Sequence, residues 1–170
     1  LQILSGRHIM VSSQDARNAC EKYYPNSIGR VKVVRFAIQP PESLGNQNIQ
    51  NTLSAYKLPK HYFYLPNQFW QHKNHLLVLD ALKILKEKKE EVVIISSGLQ
   101  YDPYRPDYFK KFQNRLTALK LEKQFITLGL IPYEHIAPLM TRSLAVLNPS
   151  LFEGWSTSVE EAKSLGVPLI

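Results

Sequence analysis

The run Val92-Val93-Ile94-Ile95-Ser96-Ser97, stopped by Gly98, constrains this chain more than any other feature. It is β-branched and shows no polar alternation. Such a strand has both faces buried, which a parallel sheet covered by helices provides. Its neighbours fit that setting. Leu76–Lys89 carries apolar residues at helical spacing with a lysine-rich outer face, and Asp107–Leu121 reads as a second amphipathic helix. His61–Pro66 reads as a short aromatic strand, Phe125–Leu128 as a strand ended by Gly129, and Leu144–Asn148 as another strand. Tyr133–Thr141 is a short helix, Thr157–Leu165 a helix closed by Gly166 at its C-cap, and Val167–Ile170 opens a further strand.

This alternation of strand and helix predicts an α/β fold, a Rossmann-like parallel sheet with helices on both faces. Ligands bind such sheets at the carboxyl ends of the strands, so the loops that follow strands are the places to search. Residues 1–40 differ. Ile9–Ser12 and Val31–Phe36 read as strands around a helix at Gln14–Tyr24, with too little apolar surface to fold alone. They are expected to end a preceding domain. Gln39 to Asn51 holds Pro40, Pro41, Gly45 and three asparagines, and predicts a linker, placed at 41–58. The remaining domain, 59–170, stops in mid-strand, so the chain is expected to be truncated and that domain incomplete at its C-terminus.

Composition narrows the function classes. Hydrophobic residues at 44% and charged residues at 21% are ordinary for a globular protein. There is no apolar run of about 18 residues or more, as a membrane-spanning helix needs. The one cysteine, Cys20, favours a reducing compartment, hence a cytoplasmic location, with membrane association left open. The net charge of +7 suits a polyanionic partner: a nucleoside diphosphate, nucleic acid or an anionic membrane surface.

Ser150–Ile170 (SLFEGWSTSVEEAKSLGVPLI) holds the densest chemistry. Glu153 and Glu161 bracket seven residues, among them Gly154, Trp155, Ser156 and Thr157, where a strand gives way to a helix. Backbone N–H groups at that junction favour a phosphate, glycine allows close approach, and the hydroxyls add donors. The two carboxylates have the chemistry to accept hydrogen bonds from sugar hydroxyls. Each residue taken singly has a plainer reading, with Ser and Thr as helix caps and Glu160 and Glu161 as helix-start charges.

The whole string is more specific. Pro149-Ser150, Glu153-Gly154, Glu161-Ala162 and Gly166-x-Pro168 together resemble the donor-site signature of the large retaining glycosyltransferase family 4, which has the GT-B fold. The resemblance extends over nearly the whole chain, with 59–170 similar to that family's C-terminal, donor-binding domain. It implies that Glu153 contacts the donor sugar, Glu161 the ribose, and the turn Gly154–Thr157 the diphosphate. It also implies that Leu130 and Ile131, after the stop at Gly129, meet the nucleobase through their main chain. After the first strand the family usually has Gly-Arg and a Lys five residues on, two cations for the diphosphate. Here Lys73 is kept, but Asn67 and Gln68 replace Gly and Arg, and Gln68 donates without charge. His72 and Arg105 are candidates for a second cation.

The His72/His75 pair lacks the cysteines or carboxylates of a metal site, so no metal and no cofactor are expected. Trp70 and Trp155 suit either stacking on a ligand or packing of the loops. The expected function is transfer of a hexose from a nucleotide sugar to the hydroxyl of a glycan or lipid-linked acceptor. The fragment itself is expected to be inactive, and its catalytic residues are not identified. The alternative is a non-catalytic basic module that binds a nucleotide or nucleic acid. Against nucleic acid, no helix-turn-helix or RNA-recognition signature occurs.

Overall fold

The N-terminal strands are short and pair in parallel across a helical crossover. Ile9–Val11 (β1) and Val31–Val33 (β2) form a two-stranded sheet in the register Ile9 to Val31. Gln14–Tyr23 (α1) connects them, started by Ser13, whose hydroxyl accepts from the Ala16 N–H at 3.0 Å. No residue of α1 is buried. The structure, a computed structural model, describes residues 3–39 and 44–170. Its contacts divide the chain into two units: one holds the chain up to Gln39 together with Glu153–Thr157, the other Pro40–Phe152 together with Ser158–Ile170.

The larger unit is the expected parallel sheet. Phe63–Leu65 (β3), Ile94–Ser96 (β4) and Phe125–Thr127 (β5) pair in the order β3-β4-β5, all parallel. Val146 adds a parallel bridge to Tyr64 on the outer side of β3, and Leu169 a parallel bridge to Val146. The spatial order is therefore β5, β4, β3, the Val146 segment and the Leu169 segment. In chain order that is 3-2-1-4-5, the order of the doubly wound dinucleotide-binding sheet. The strands are shorter than the apolar runs that announced them, and the last two are single bridges.

Helices cover both faces because side chains alternate along each strand. Leu65, Ile94 and Phe125 point to one face, where they pack with Val78, Leu79 and Leu82 of His75–Glu87 (α3) and Phe112 of Tyr108–Ala118 (α4). Tyr64 and Ile95 point to the other face, with Leu139 and Met140 of Ile136–Arg142 (α5) and Ala162 of Thr157–Ser164 (α6). Tyr62 joins this second cluster, and its hydroxyl donates to the Leu139 carbonyl at 2.8 Å.

The stretch expected to be a turn-rich linker is helical over much of its length. Asn46–Tyr56 (α2 in chain order) is a helix ended by Lys57 in the left-handed region. Ile49 is buried, and Leu53 and Tyr56 pack against the second cluster. Burial of that i, i+4, i+7 stripe outweighs the weak helix preference of the asparagines. The expected turn at Pro40–Ser43 lies outside the described residues. Among the described residues, no helix is long and apolar enough to cross a membrane.

Candidate functional site

The order 3-2-1-4-5 reverses between β3 and the Val146 segment, and a crevice opens at the carboxyl ends of strands flanking such a reversal. Two loops border it within the larger unit. One runs from Leu65 through Asn67, Gln68 and Trp70 into the 3-10 turn Gln71–Lys73, then to Asn74 and α3. The other follows the Val146 segment through Asn148 and Ser150 to Phe152. They are fastened together. The Leu151 N–H donates to the His72 carbonyl at 2.8 Å, the Asn74 amide to the Pro149 carbonyl at 3.2 Å, and the rings of His72 and Phe152 stack at 4.7 Å. Lys73 and the Ser150–Phe152 stretch therefore share the carboxyl edge of the sheet.

The Lys73 turn is also held from the far side, by a residue the sequence reading did not single out. Asp102 is buried, and its carboxylate accepts from the Gln71 N–H at 2.8 Å, the Tyr104 N–H at 2.9 Å and the Arg105 N–H at 3.2 Å. Burial alone would raise its pKa. The three N–H donors, with His72 nearby, outweigh burial and hold it below the ordinary carboxylate value. Arg105 extends the same network through its Nε, which donates to the Gln71 side-chain oxygen at 3.1 Å. The signal was present in Asp102-Pro103-Tyr104-Arg105: an aspartate followed by N–H groups two and three residues on is an Asx turn.

Gly98 joins the loops of three neighbouring strands. Its N–H donates to the Gly129 carbonyl at 2.8 Å, while Phe69 donates to the Leu99 carbonyl at 2.9 Å. The backbone of the β3 loop passes so near that a Cβ on Gly98 would lie 2.5 Å from the Asn67 carbonyl oxygen. Glycine is needed here both for this approach and for a φ of +145°.

His75 is not paired with His72. The 3-10 turn ends at Asn74 in the left-handed region, and α3 begins at His75. That break separates the two rings. His72 lies over Phe152, while His75 is fully buried, stacked on Phe69 at 4.1 Å. Burial, with Lys73 adding to it against a smaller opposing effect of the Asn67 backbone, lowers the His75 pKa to about 4. It is a neutral core residue. Among the described residues, no group of three His, Cys, Asp or Glu is placed to hold a metal ion.

The remaining predicted residues fall as follows. Gln68 is exposed on the β3 loop, and Lys73 is half-buried. Leu130 is exposed, while Ile131 packs against the second core cluster. Glu161 is the fifth residue of α6, just past the first turn in which it was expected. Its Oε1 accepts from the Tyr133 hydroxyl at 2.8 Å, a partner the sequence did not reveal. Glu153–Thr157 belong to the smaller unit. There the Ser12 hydroxyl donates to the Gly154 carbonyl at 3.2 Å, and Trp155 meets Phe36 edge to face at 6.3 Å. Trp155 therefore packs against a ring of its own unit.

The family model described as "Glycosyl transferases group 1" matches residues 47–170. The chain belongs to that family. The fold of this group 1 glycosyl transferase chain is shared by solved structures of low sequence identity. A glycosyltransferase from Rickettsia africae superposes with a TM-score of 0.83 at 17% identity, over 98% of this chain and 44% of the other. The Anabaena protein Alr3699/HepE, solved with UDP and glucose, gives 0.77 at 19% identity, over 95% of this chain and 43% of the other. WaaG, a glycosyltransferase of lipopolysaccharide biosynthesis, gives 0.75 at 17% identity, over 94% and 42%. The group 1 chain thus spans less than half the length of each of these proteins.

Proposed function

We propose that this chain supplies the nucleotide-sugar-binding part of a glycosyltransferase that moves a hexose to an acceptor hydroxyl with retention, as in glycosyltransferase family 4. The observation that carries the reading is the fastening of the Lys73 turn to the Ser150–Phe152 stretch at the carboxyl edge of the sheet, beside its switch point. In the reaction the bond from the anomeric carbon to the β-phosphate oxygen breaks and the nucleoside diphosphate leaves with the bonding pair. The acceptor oxygen bonds to that carbon and gives up its proton, which is taken by an oxygen of the departing diphosphate. Negative charge grows on the departing diphosphate, and fixed donors beside it lower the barrier. Lys73 supplies a positive charge and Gln68 a neutral donor, one cation fewer than the family usually offers.

By family resemblance, Gly154, Trp155, Ser156 and Thr157 make the turn that receives the diphosphate. Glu153 contacts the transferred sugar, Glu161 the ribose, and the main chain at Leu130 and Ile131 the nucleobase. The division into 1–40, 41–58 and 59–170, a glycan or lipid-linked acceptor, and a cytoplasmic, membrane-associated setting belong to the same reading. Because Alr3699/HepE was solved with UDP, uridine nucleotides are the first to test.

The test compares Glu161→Ala with Glu153→Ala by titration with a nucleoside diphosphate and the matching nucleotide sugar. A lost hydrogen bond to a charged group costs roughly 1.5–3 kcal/mol, about a tenfold to hundredfold loss of affinity. Glu161→Ala is expected to weaken both ligands and Glu153→Ala only the sugar-bearing one. The reverse pattern exchanges the two roles, and no effect from either substitution returns both glutamates to helix-start charges.

A further inference from the structure

We infer that Tyr133 is a positioning residue for ribose recognition, holding the Glu161 carboxylate through its hydroxyl. The inference rests on the assignment of Glu161 to the ribose. Tyr133 opens the 3-10 turn Tyr133–His135, three residues beyond Leu130, on the loop assigned to the nucleobase. Glu161 lies in α6, 28 residues further along. The Tyr133 hydroxyl donates to Glu161 Oε1 at 2.8 Å, so the two segments assigned to base and ribose are joined by one side-chain contact.

The geometry fits positioning better than stabilisation. Tyr133 is 71% exposed, so its ring adds little to the core. The phenol has an O–H to give and takes one lone pair of one carboxylate oxygen. An ionised carboxylate offers about four such sites, so Oε2 and the rest of Oε1 stay available to hydroxyls of a ligand. A half-buried glutamate such as Glu161 still samples several rotamers when nothing holds its carboxylate, and a ligand would have to fix one of them on binding. The tyrosine does so beforehand. The bond to Glu161 raises the pKa of Tyr133 above its ordinary value, with partial burial and the carboxylate's charge acting the same way. The phenol accordingly remains a donor at neutral pH.

The experiment is a double-substitution cycle on the protein: Tyr133→Phe, Glu161→Ala and the pair. UDP, GDP and ADP are titrated first, and the tightest is carried forward with its 2′-deoxy and 3′-deoxy forms. Thermal melting of each variant checks the fold. Tyr133→Phe is expected to melt with the parent and to weaken the ribonucleotide about two- to tenfold, the cost of releasing one side chain to be fixed by the ligand. It should lose nothing further in the Glu161→Ala background, and it should narrow the preference for the ribo over a deoxy form. If Glu161→Ala weakens binding and Tyr133→Phe does not, or if the two effects simply add, the positioning role is overturned while the donor-site reading stands. If neither substitution weakens binding, the assignment of Glu161 to the ribose falls, and the positioning role falls with it.

Discussion

Replacing Gly98 with alanine tests the way the loops around the crevice are built. The new Cβ would stand 2.5 Å from the Asn67 carbonyl oxygen, 2.7 Å from its carbon and 2.8 Å from the Gln68 nitrogen. All three are backbone atoms, so no side chain is there to swing away. Overpacking of this kind costs about 1–3 kcal/mol. A φ of +145° adds strain of about 1–3 kcal/mol for any residue with a Cβ. The sum is about 2–6 kcal/mol, a large share of a typical stability of roughly 5–15 kcal/mol. For a chain of this size each kcal/mol lowers the melting temperature by about 2–4 °C. The matched control is Gly129→Ala. Its φ is +71°, but the nearest atom to a new Cβ is the Gln100 side-chain nitrogen at 3.7 Å. It should cost only the left-handed penalty of about 1–2 kcal/mol. Urea unfolding of the two variants decides the matter. Gly98→Ala should be clearly the worse and should also weaken nucleotide binding, because the β3 loop that leads to Lys73 must shift. If Gly98→Ala unfolds no earlier than Gly129→Ala, the close approach of the two loops is refuted.

Two further outcomes follow from buried titratable groups. His75 has a folded pKa near 4 against an ordinary 6.5, so the unfolded chain binds the proton first as pH falls. Its contribution is complete above pH 6.5 and declines towards pH 4 by up to about 1.4 kcal/mol per pH unit. Urea midpoints measured across that range should show the slope in the parent and lose it in His75→Phe. Asp102 has the opposite sense: its lowered pKa gives stability that is complete above the ordinary aspartate range and lost as pH falls through the folded value. Asp102→Asn should melt earlier at neutral pH and lose that acid-side decline. Its Lys73 turn, released from Asp102, should exchange the Gln71 amide proton faster.

The alternation of strand and helix was legible because each strand of the larger unit is one unbroken apolar run. Val92–Ser97 announces a strand buried on both sides, and Ile94 and Ile95 do face opposite core clusters. The stripe Ile49, Leu53, Tyr56 was equally present in the sequence, but the prolines, glycine and asparagines around it masked it as a linker. His72 and His75 stand three residues apart in the sequence and read there as a pair. A left-handed residue at position 74 divides them, and its side chain is anchored to the Pro149 carbonyl in a distant loop. The partnership of Tyr133 with Glu161 was not readable for a similar reason. It joins an exposed loop to a helix and leaves no trace in either segment's own pattern.

A nucleoside diphosphate is expected to bind at the carboxyl edge of this sheet, at the reversal between β3 and the Val146 segment. The most direct measurement is diffraction from crystals grown with the tightest-binding nucleoside diphosphate. Phosphate density is expected beside Lys73 and ribose density against Glu161. Density at the opposite edge, in the groove between Lys86, Lys89, Lys120 and Lys123, with the Lys73 crevice empty, would contradict it.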